Sequence, residues 1–203
     1  MSAMKDHRLE RLIFFSDAVI AIAITLLIIE IHAPRLPHGD VAGALQMLRE
    51  LLPAFFGFAI SFMVIGRFWL GHSAAMGGMI RIDERLFRPN LYFLMMIVVM
   101  PFSTAFLSEN LGELVAVAFY NATLTLTALA SLAVVMIATD PDSGCSAHDP
   151  AERADLRRRS QIVVGAAAAC VALGLVRPDL GQLPMIALLL GDRLTRRRKS
   201  ASA

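Results

Sequence analysis

Twenty consecutive residues, Leu12 to Ile31, carry only Ser16, Asp17, Thr25 and Glu30 as polar side chains. Wound as a helix, such a run rises about 30 Å, the thickness of a bilayer's hydrocarbon core. It is not alone. Leu51–Leu70 holds a single charge, Arg67, and Leu91–Leu107 and Val115–Ala138 hold none. Two shorter runs follow, Ile162–Val176 and Leu180–Leu190, the latter stopping at Asp192 and Arg193. The sequence therefore predicts an all-α integral membrane protein, one domain over residues 1–203, with six spans at 12–31, 51–70, 91–107, 115–138, 162–176 and 180–190. The sixth is short enough to be a partial or re-entrant segment. Composition agrees: 57% of residues are hydrophobic and 18% charged, so with a net charge of +2 disorder is excluded, and two cysteines cannot staple a chain of this size.

The basic residues fix an expected orientation. Lys5, Arg8 and Arg11 precede the first run, Arg81, Arg85 and Arg88 separate the second from the third, and Arg153, Arg157, Arg158 and Arg159 precede the fifth. Arg193, Arg196, Arg197, Arg198 and Lys199 follow the sixth, whereas the alternate loops hold only Arg35, Arg49 and Arg177. By the positive-inside rule both termini lie in the cytoplasm, and a five-span count would break the pattern. The first run is too long for a signal-peptide core and is read as retained. The tail Arg196, Arg197, Arg198, Lys199 reads as a topology anchor that also suits contact with anionic lipid, and no folded soluble module accompanies it to bind nucleic acid.

Between the runs little room is left for chemistry. The outer loop Ala33–Pro37 leads into Asp40–Glu50, an expected amphipathic continuation of the second helix, and Ser108–Glu113 is a tight acidic turn. The longest polar stretch, Asp140–Ser160, contains Pro141, Gly144 and Pro150 and reads as irregular backbone. No phosphate loop, dinucleotide fingerprint, nucleophile elbow or His-Glu-x-x-His motif occurs, so an enzyme is not expected. His32 and His38 share a loop but read as solvated rather than as metal ligands. Cys145 and Cys170 are too differently placed to bridge. Ala166, Cys170 and Gly174 form a small-residue stripe suited to close helix packing.

Asp17 is the expensive residue. A carboxylate inside a spanning helix costs about 2.5–3.5 kcal/mol at mid-membrane and less toward the ends, whereas Glu30 at the boundary reaches water. Candidate partners at a similar depth are Arg11, His72 and Asn90. Two roles stand open, a polar clamp holding three helices and a proton relay. A second face of the same helix is different in kind. At about 100° per residue, Ile22, Thr25, Leu26 and Ile29 share one stripe, with Asp17 about 140° away. Such a stripe meets lipid, another helix of the same subunit, or its own symmetric copies around an axis, where stacked apolar rings gate by dewetting.

The run Arg11-Leu12-Ile13-Phe14-Phe15-Ser16-Asp17 matches the pattern Arg-x-x-x-Phe-Ser-Asp, and with its continuation to Ile31 it resembles the first helix of the transmembrane protein 175 potassium channels. Trp69-x-x-His72, Asn90 and Pro101-Phe102-Ser103-Thr104 resemble that family's second and third helices. The resemblance implies a homotetramer of six-span units, as in the prokaryotic branch, in the cell membrane. It implies a pore lined by helix 1 at Ile22, Leu26 and Ile29, with Ile22 the narrowest ring and Thr25 aiding selection of potassium over sodium. Arg11, Phe15, Ser16, Asp17, Trp69, His72 and Asn90 would then belong to the motif and the polar network holding the helices. The expected function is a potassium-selective or weakly selective monovalent cation channel, conducting passively and without cofactor or metal, K+ being the permeant ion. The alternative is a secondary transporter or proton-coupled carrier titrating Asp17, against which no internal inverted repeat is visible.

Overall fold

A computed structural model describes residues 6–35 and 39–190. Among them the secondary structure is helical throughout: α1 (His7–Ile29), α2 (Val41–Glu50), α3 (Leu52–Gly77), α4 (Phe87–Glu109), α5 (Leu114–Ala138) and α6 (Pro150–Val176). A shorter apolar helical segment, Pro178–Leu190, follows. Five helices are long and apolar enough to cross a membrane, with α2 and α3 counted as one. The chain is thus a multi-pass membrane protein. The tail Arg196–Lys199, with Lys5, His38 and Arg193, lies outside the described residues.

Helix boundaries follow from capping chemistry that the apolar runs alone do not carry. The Asp6 side chain accepts from the Arg8 amide at 3.0 Å and starts α1 well before Leu12, while Glu30 ends it. Asp40 caps α2 by accepting from the Gly43 amide at 2.8 Å, and Leu51 separates α2 from α3, so the expected continuation is a distinct short helix. α3 runs on to Gly77, placing His72 within the helix. The largest correction concerns Asp140–Ser160. Only its first part is irregular, because Asp149 accepts from the Glu152 amide at 2.8 Å and Pro150 sits in the first turn of α6. Proline there loses no helical hydrogen bond and brings a helical φ, so it opens a helix instead of interrupting one.

α5 is the centre of the bundle, packed by α3, α4 and α6, with half of its apolar window buried. The Thr104 and Ser61 hydroxyl oxygens lie 2.8 Å apart, and Ser61 in turn lies 3.2 Å from the Tyr120 hydroxyl, so one hydroxyl chain joins α4, α3 and α5. Asn121 of α5 donates to the Cys170 carbonyl at 2.8 Å and accepts from Gln182 at 2.9 Å, fastening α6 and the last segment. The buried stripe of α6 is Val163, Ala167, Cys170 and Gly174 rather than one through Ala166. A Cβ at Gly174 would lie 2.7 Å from Asn121 Nδ2 and 2.9 Å from Val117 Cγ1, so the approach of α6 to α5 requires glycine there. Both cysteines are free.

α1 lies on one side of this bundle, chiefly against α3 and α4. At one end, Asp6 also accepts from the Ile82 amide at 3.3 Å, and the segments 78–80 and 145–147 exchange backbone hydrogen bonds. Arg85 bridges Asp83 and Asp140, each at 2.7 Å, and holds both carboxyls below the usual carboxylate range. Arg157 donates to the Thr139 carbonyl at 2.8 Å and to its hydroxyl at 2.9 Å, capping the C-terminus of α5. The start of α1, the α3–α4 turn and the α5–α6 loop therefore gather at the same, arginine-rich end.

Candidate functional site

The first helix has two faces of opposite character. Leu9, Leu12, Ser16, Ile20, Ala23 and Leu27 recur at helical spacing and are buried against α3 and α4. On the other side Ile22 is 60% exposed, Ile29 67% and Leu26 36%, with Thr25 exposed among them. Among the described residues this face is therefore largely uncovered by its own protomer, with Leu26 the most covered of the three. It extends about 10 Å along the axis and carries no charge between Asp17 and Glu30.

Thr25 supplies the one hydroxyl on this stripe. Its Oγ1 donates to the Ile22 carbonyl at 2.8 Å. The proton is thereby committed to the helix's own backbone, and the oxygen keeps its lone pairs for a partner outside the helix. An oxygen presented in that way accepts from water or coordinates a cation; it has nothing to donate to an anion.

A polar chain holds the buried face in register. His72 Nε2 and Asn90 Oδ1 are 2.8 Å apart, and Asn90 Nδ2 donates to Ser16 Oγ at 3.0 Å. Ser16 then donates to the Leu12 carbonyl at 2.9 Å. Since the Asn90 amide nitrogen is used on Ser16, its oxygen accepts from the imidazole, and donation runs from His72 through Asn90 and Ser16 to backbone. These side chains are at most 2% exposed and join α3, α4 and α1. The His72 ring also stacks on Phe93, with centroids 5.3 Å apart and planes at 9°. Its Nδ1 is buried without a hydrogen-bond partner.

Asp17 is not part of that chain. Of the three candidates, Arg11 stands exposed outside the set, while His72 and Asn90 serve Ser16. Asp17 accepts instead from Trp69 Nε1 at 3.0 Å. Adjacent residues on a helix point about 100° apart, so only one of Ser16 and Asp17 can face α4, and the smaller neutral one does. The carboxylate stays half-buried toward α3, where an indole N–H is the available donor. Trp69 was legible as a motif residue; its partner was not. Phe15 is 50% exposed, on the outward side.

At the end of α1 away from the arginines, Glu30, His32, Glu50 and Glu109 line an open cavity of about 250 Å³. Carboxylates from three separate elements meet there, an arrangement that raises the local concentration of cations. No cluster of metal-binding geometry occurs among the described residues.

Comparison with known proteins bears on the same region. Residues 11–101 match the family model described as endosomal/lysosomal potassium channel TMEM175. A potassium channel of Streptomyces collinus is 39% identical over 121 residues, covering 57% of this chain and 57% of the relative. A potassium channel of Chamaesiphon minutus is 38% identical over 111 residues, 55% of each chain. The match thus spans little more than half the length of these curated relatives. The crystal structure of a lysosomal potassium-selective channel TMEM175 homolog from Chamaesiphon minutus superposes with a TM-score of 0.80, covering 94% of this chain and 98% of that one at 26% identity.

Proposed function

We propose that the chain is a member of the transmembrane protein 175 family, whose model residues 11–101 match, and that it conducts potassium passively through a pore built by four copies of α1. The observation that carries the proposal is the pair of faces on that helix. One face is tied into the protomer by the His72–Asn90–Ser16 chain, and the other leaves Ile22, Leu26 and Ile29 uncovered with the Thr25 oxygen between them. Around a fourfold axis the uncovered face makes stacked apolar rings separated by one ring of hydroxyl oxygens. Water leaves a narrow apolar constriction readily, so Ile22, the ring nearest the arginine-rich end, acts as the gate. The Thr25 ring offers lone pairs to a partly dehydrated cation and favours potassium over sodium, strongly or weakly. Glu30, Glu50 and Glu109 concentrate cations at the outer mouth.

In this reading Asp17 and Trp69, with Ser16, His72 and Asn90, orient α1, and Phe15 and Arg11 flank the seam between subunits. Both termini face the cytoplasm of a cell membrane, because the arginine-rich end is the inner one. K+ is the permeant ion and no cofactor takes part. The test is the reversal potential of the purified, reconstituted protein with potassium on one side and sodium on the other. A sustained current reversing well toward the potassium equilibrium potential is the expected result. Reversal near zero removes Thr25 as a selecting group, and absence of current from an intact tetramer favours a carrier titrating Asp17.

A further inference from the structure

A second cavity, of about 220 Å³, is lined by residues of α3, α5 and α6 and by none of α1. Arg67 and Arg159 line it together with the hydroxyl-bearing Ser131 and Ser160, and Phe68, Leu70, Val135, Leu156 and Val163 supply apolar wall. Its depth can be read from the helices. On α6 the polar residues end at Gln161 and the apolar run begins at Ile162, so Arg159 and Ser160 stand where hydrocarbon gives way to headgroups. On α3 the apolar run continues through Arg67 to Leu70, so Arg67 stands about one turn inside the inner boundary, within reach of it for a long side chain, and Trp69 beside it is 40% exposed. Both helices reach this level at the arginine-rich end. One guanidinium at the boundary and a second about one turn deeper, lining one cavity with apolar wall beside them, match a phosphodiester carrying acyl chains. Asp155 takes one contact of Arg159, at 2.7 Å, and a guanidinium carries further donors besides.

We propose that this cavity is a binding site for the phosphate headgroup of an anionic lipid of the inner leaflet, with Arg67 and Arg159 as its charged ligands and Ser131 and Ser160 as further donors. Basic cavities between helices on the cytoplasmic side are suited to such headgroups, and a guanidinium offers paired donors to phosphate oxygens. The site is separate from the tail Arg196–Lys199 and independent of whether the protein conducts.

The experiment is native mass spectrometry of the full chain in detergent, titrated in parallel with phosphatidylglycerol, phosphatidylcholine and inorganic phosphate. Retention of phosphatidylglycerol over phosphatidylcholine is expected, with a loss of roughly fivefold in affinity for Arg159→Gln and a similar further loss on adding Arg67→Gln. Because Arg67→Gln lies within a span and risks misfolding, Val163→Trp, which fills the cavity and keeps both charges, provides an independent variant and is expected to weaken retention too. Neutralising the four basic tail residues is expected to leave it within twofold. Equal retention of both lipids, or unchanged retention in Arg159→Gln and Val163→Trp, overturns the site. Competition by millimolar inorganic phosphate overturns the lipid assignment in favour of a soluble anion, and a loss confined to the tail variant relocates binding to the tail.

Discussion

Replacing Asn90 by leucine tests whether the orientation of α1 depends on one buried amide. Asn90 is fully buried and makes two side-chain hydrogen bonds, to Ser16 at 3.0 Å and with His72 at 2.8 Å. Within membrane proteins such bonds average about 0.6 kcal/mol and reach about 1.7, so losing both costs roughly 1–3 kcal/mol. A second cost arises at His72. Its Nδ1 already has no partner, so the substitution strips the imidazole of its remaining hydrogen bond inside the bundle, adding roughly 1–3 kcal/mol. Little offsets these terms, because lipid tails are as apolar as the new leucine. The expected destabilisation is about 2–6 kcal/mol, above the ~1 kcal/mol centre of single substitutions. Denaturation of the detergent-solubilised protein measures it, and a cycle with Ser16→Ala isolates the pairwise part, expected at about 0.5–1.7 kcal/mol. Asp17→Asn is the control: it keeps an acceptor oxygen for Trp69 and should cost less than ~1 kcal/mol. A change under ~0.5 kcal/mol for Asn90→Leu, or strict additivity with Ser16→Ala, refutes the reasoning.

Ile22→Asn places an amide on the proposed gate; lowering the dewetting barrier by ~1.4 kcal/mol raises single-channel current through the closed pore about tenfold, read in planar bilayers. Thr25→Val keeps the shape and removes the oxygen, so the reversal potential in mixed potassium and sodium should move toward zero, with stability within about 0.5 kcal/mol of the unsubstituted protein. At the arginine-rich end, Asp83 and Asp140 have lowered carboxyl pKa values, owed first to their hydrogen bonds from Arg85. A depressed carboxyl stabilises the fold above its unfolded pKa and loses that contribution as pH falls through the folded one. Melting temperature should therefore hold flat from neutrality down to about pH 4 and then decline, whereas Arg85→Gln should start lower at neutrality and show a smaller acid decline.

Much of the architecture was legible before any coordinate, for a physical reason. A bilayer sets the length of each span, and its intolerance of bare backbone leaves helix as the means of crossing. Val115–Ala138 was accordingly placed within a residue of α5, and Leu51–Leu70 found the body of α3. Errors gathered at helix ends outside the apolar runs. Asp6 and Asp149 begin their helices by local capping, in polar sequence where hydropathy is silent. The small-residue stripe of α6 keeps Cys170 and Gly174 but buries Ala167 fully and Ala166 only in part, because spacing of four drifts off a helix of 3.6 residues per turn.

The motif residues of the candidate site divide in the same way. Composition marked Ser16, Asp17, His72 and Asn90 as polar groups too costly to leave alone in hydrocarbon, and periodicity set Ile22, Leu26 and Ile29 on one stripe. Neither states which donor meets which acceptor. That depends on how far each helix is rolled about its own axis, and the roll is chosen by the packing of all the helices together. Rolled as it is, α1 turns Ser16 to Asn90 and hands Asp17 to Trp69. The cavity between Arg67 and Arg159, residues 92 positions apart in the chain, has the same origin. Sequence by itself determined that the chain is a helical membrane bundle, which faces are apolar and which end is basic, since these depend on one residue and its neighbours along a helix. The tertiary structure alone decided the partners of Asp17, the uncovered state of the Ile22 stripe and the meeting of two arginines, since these depend on residues that only packing brings together.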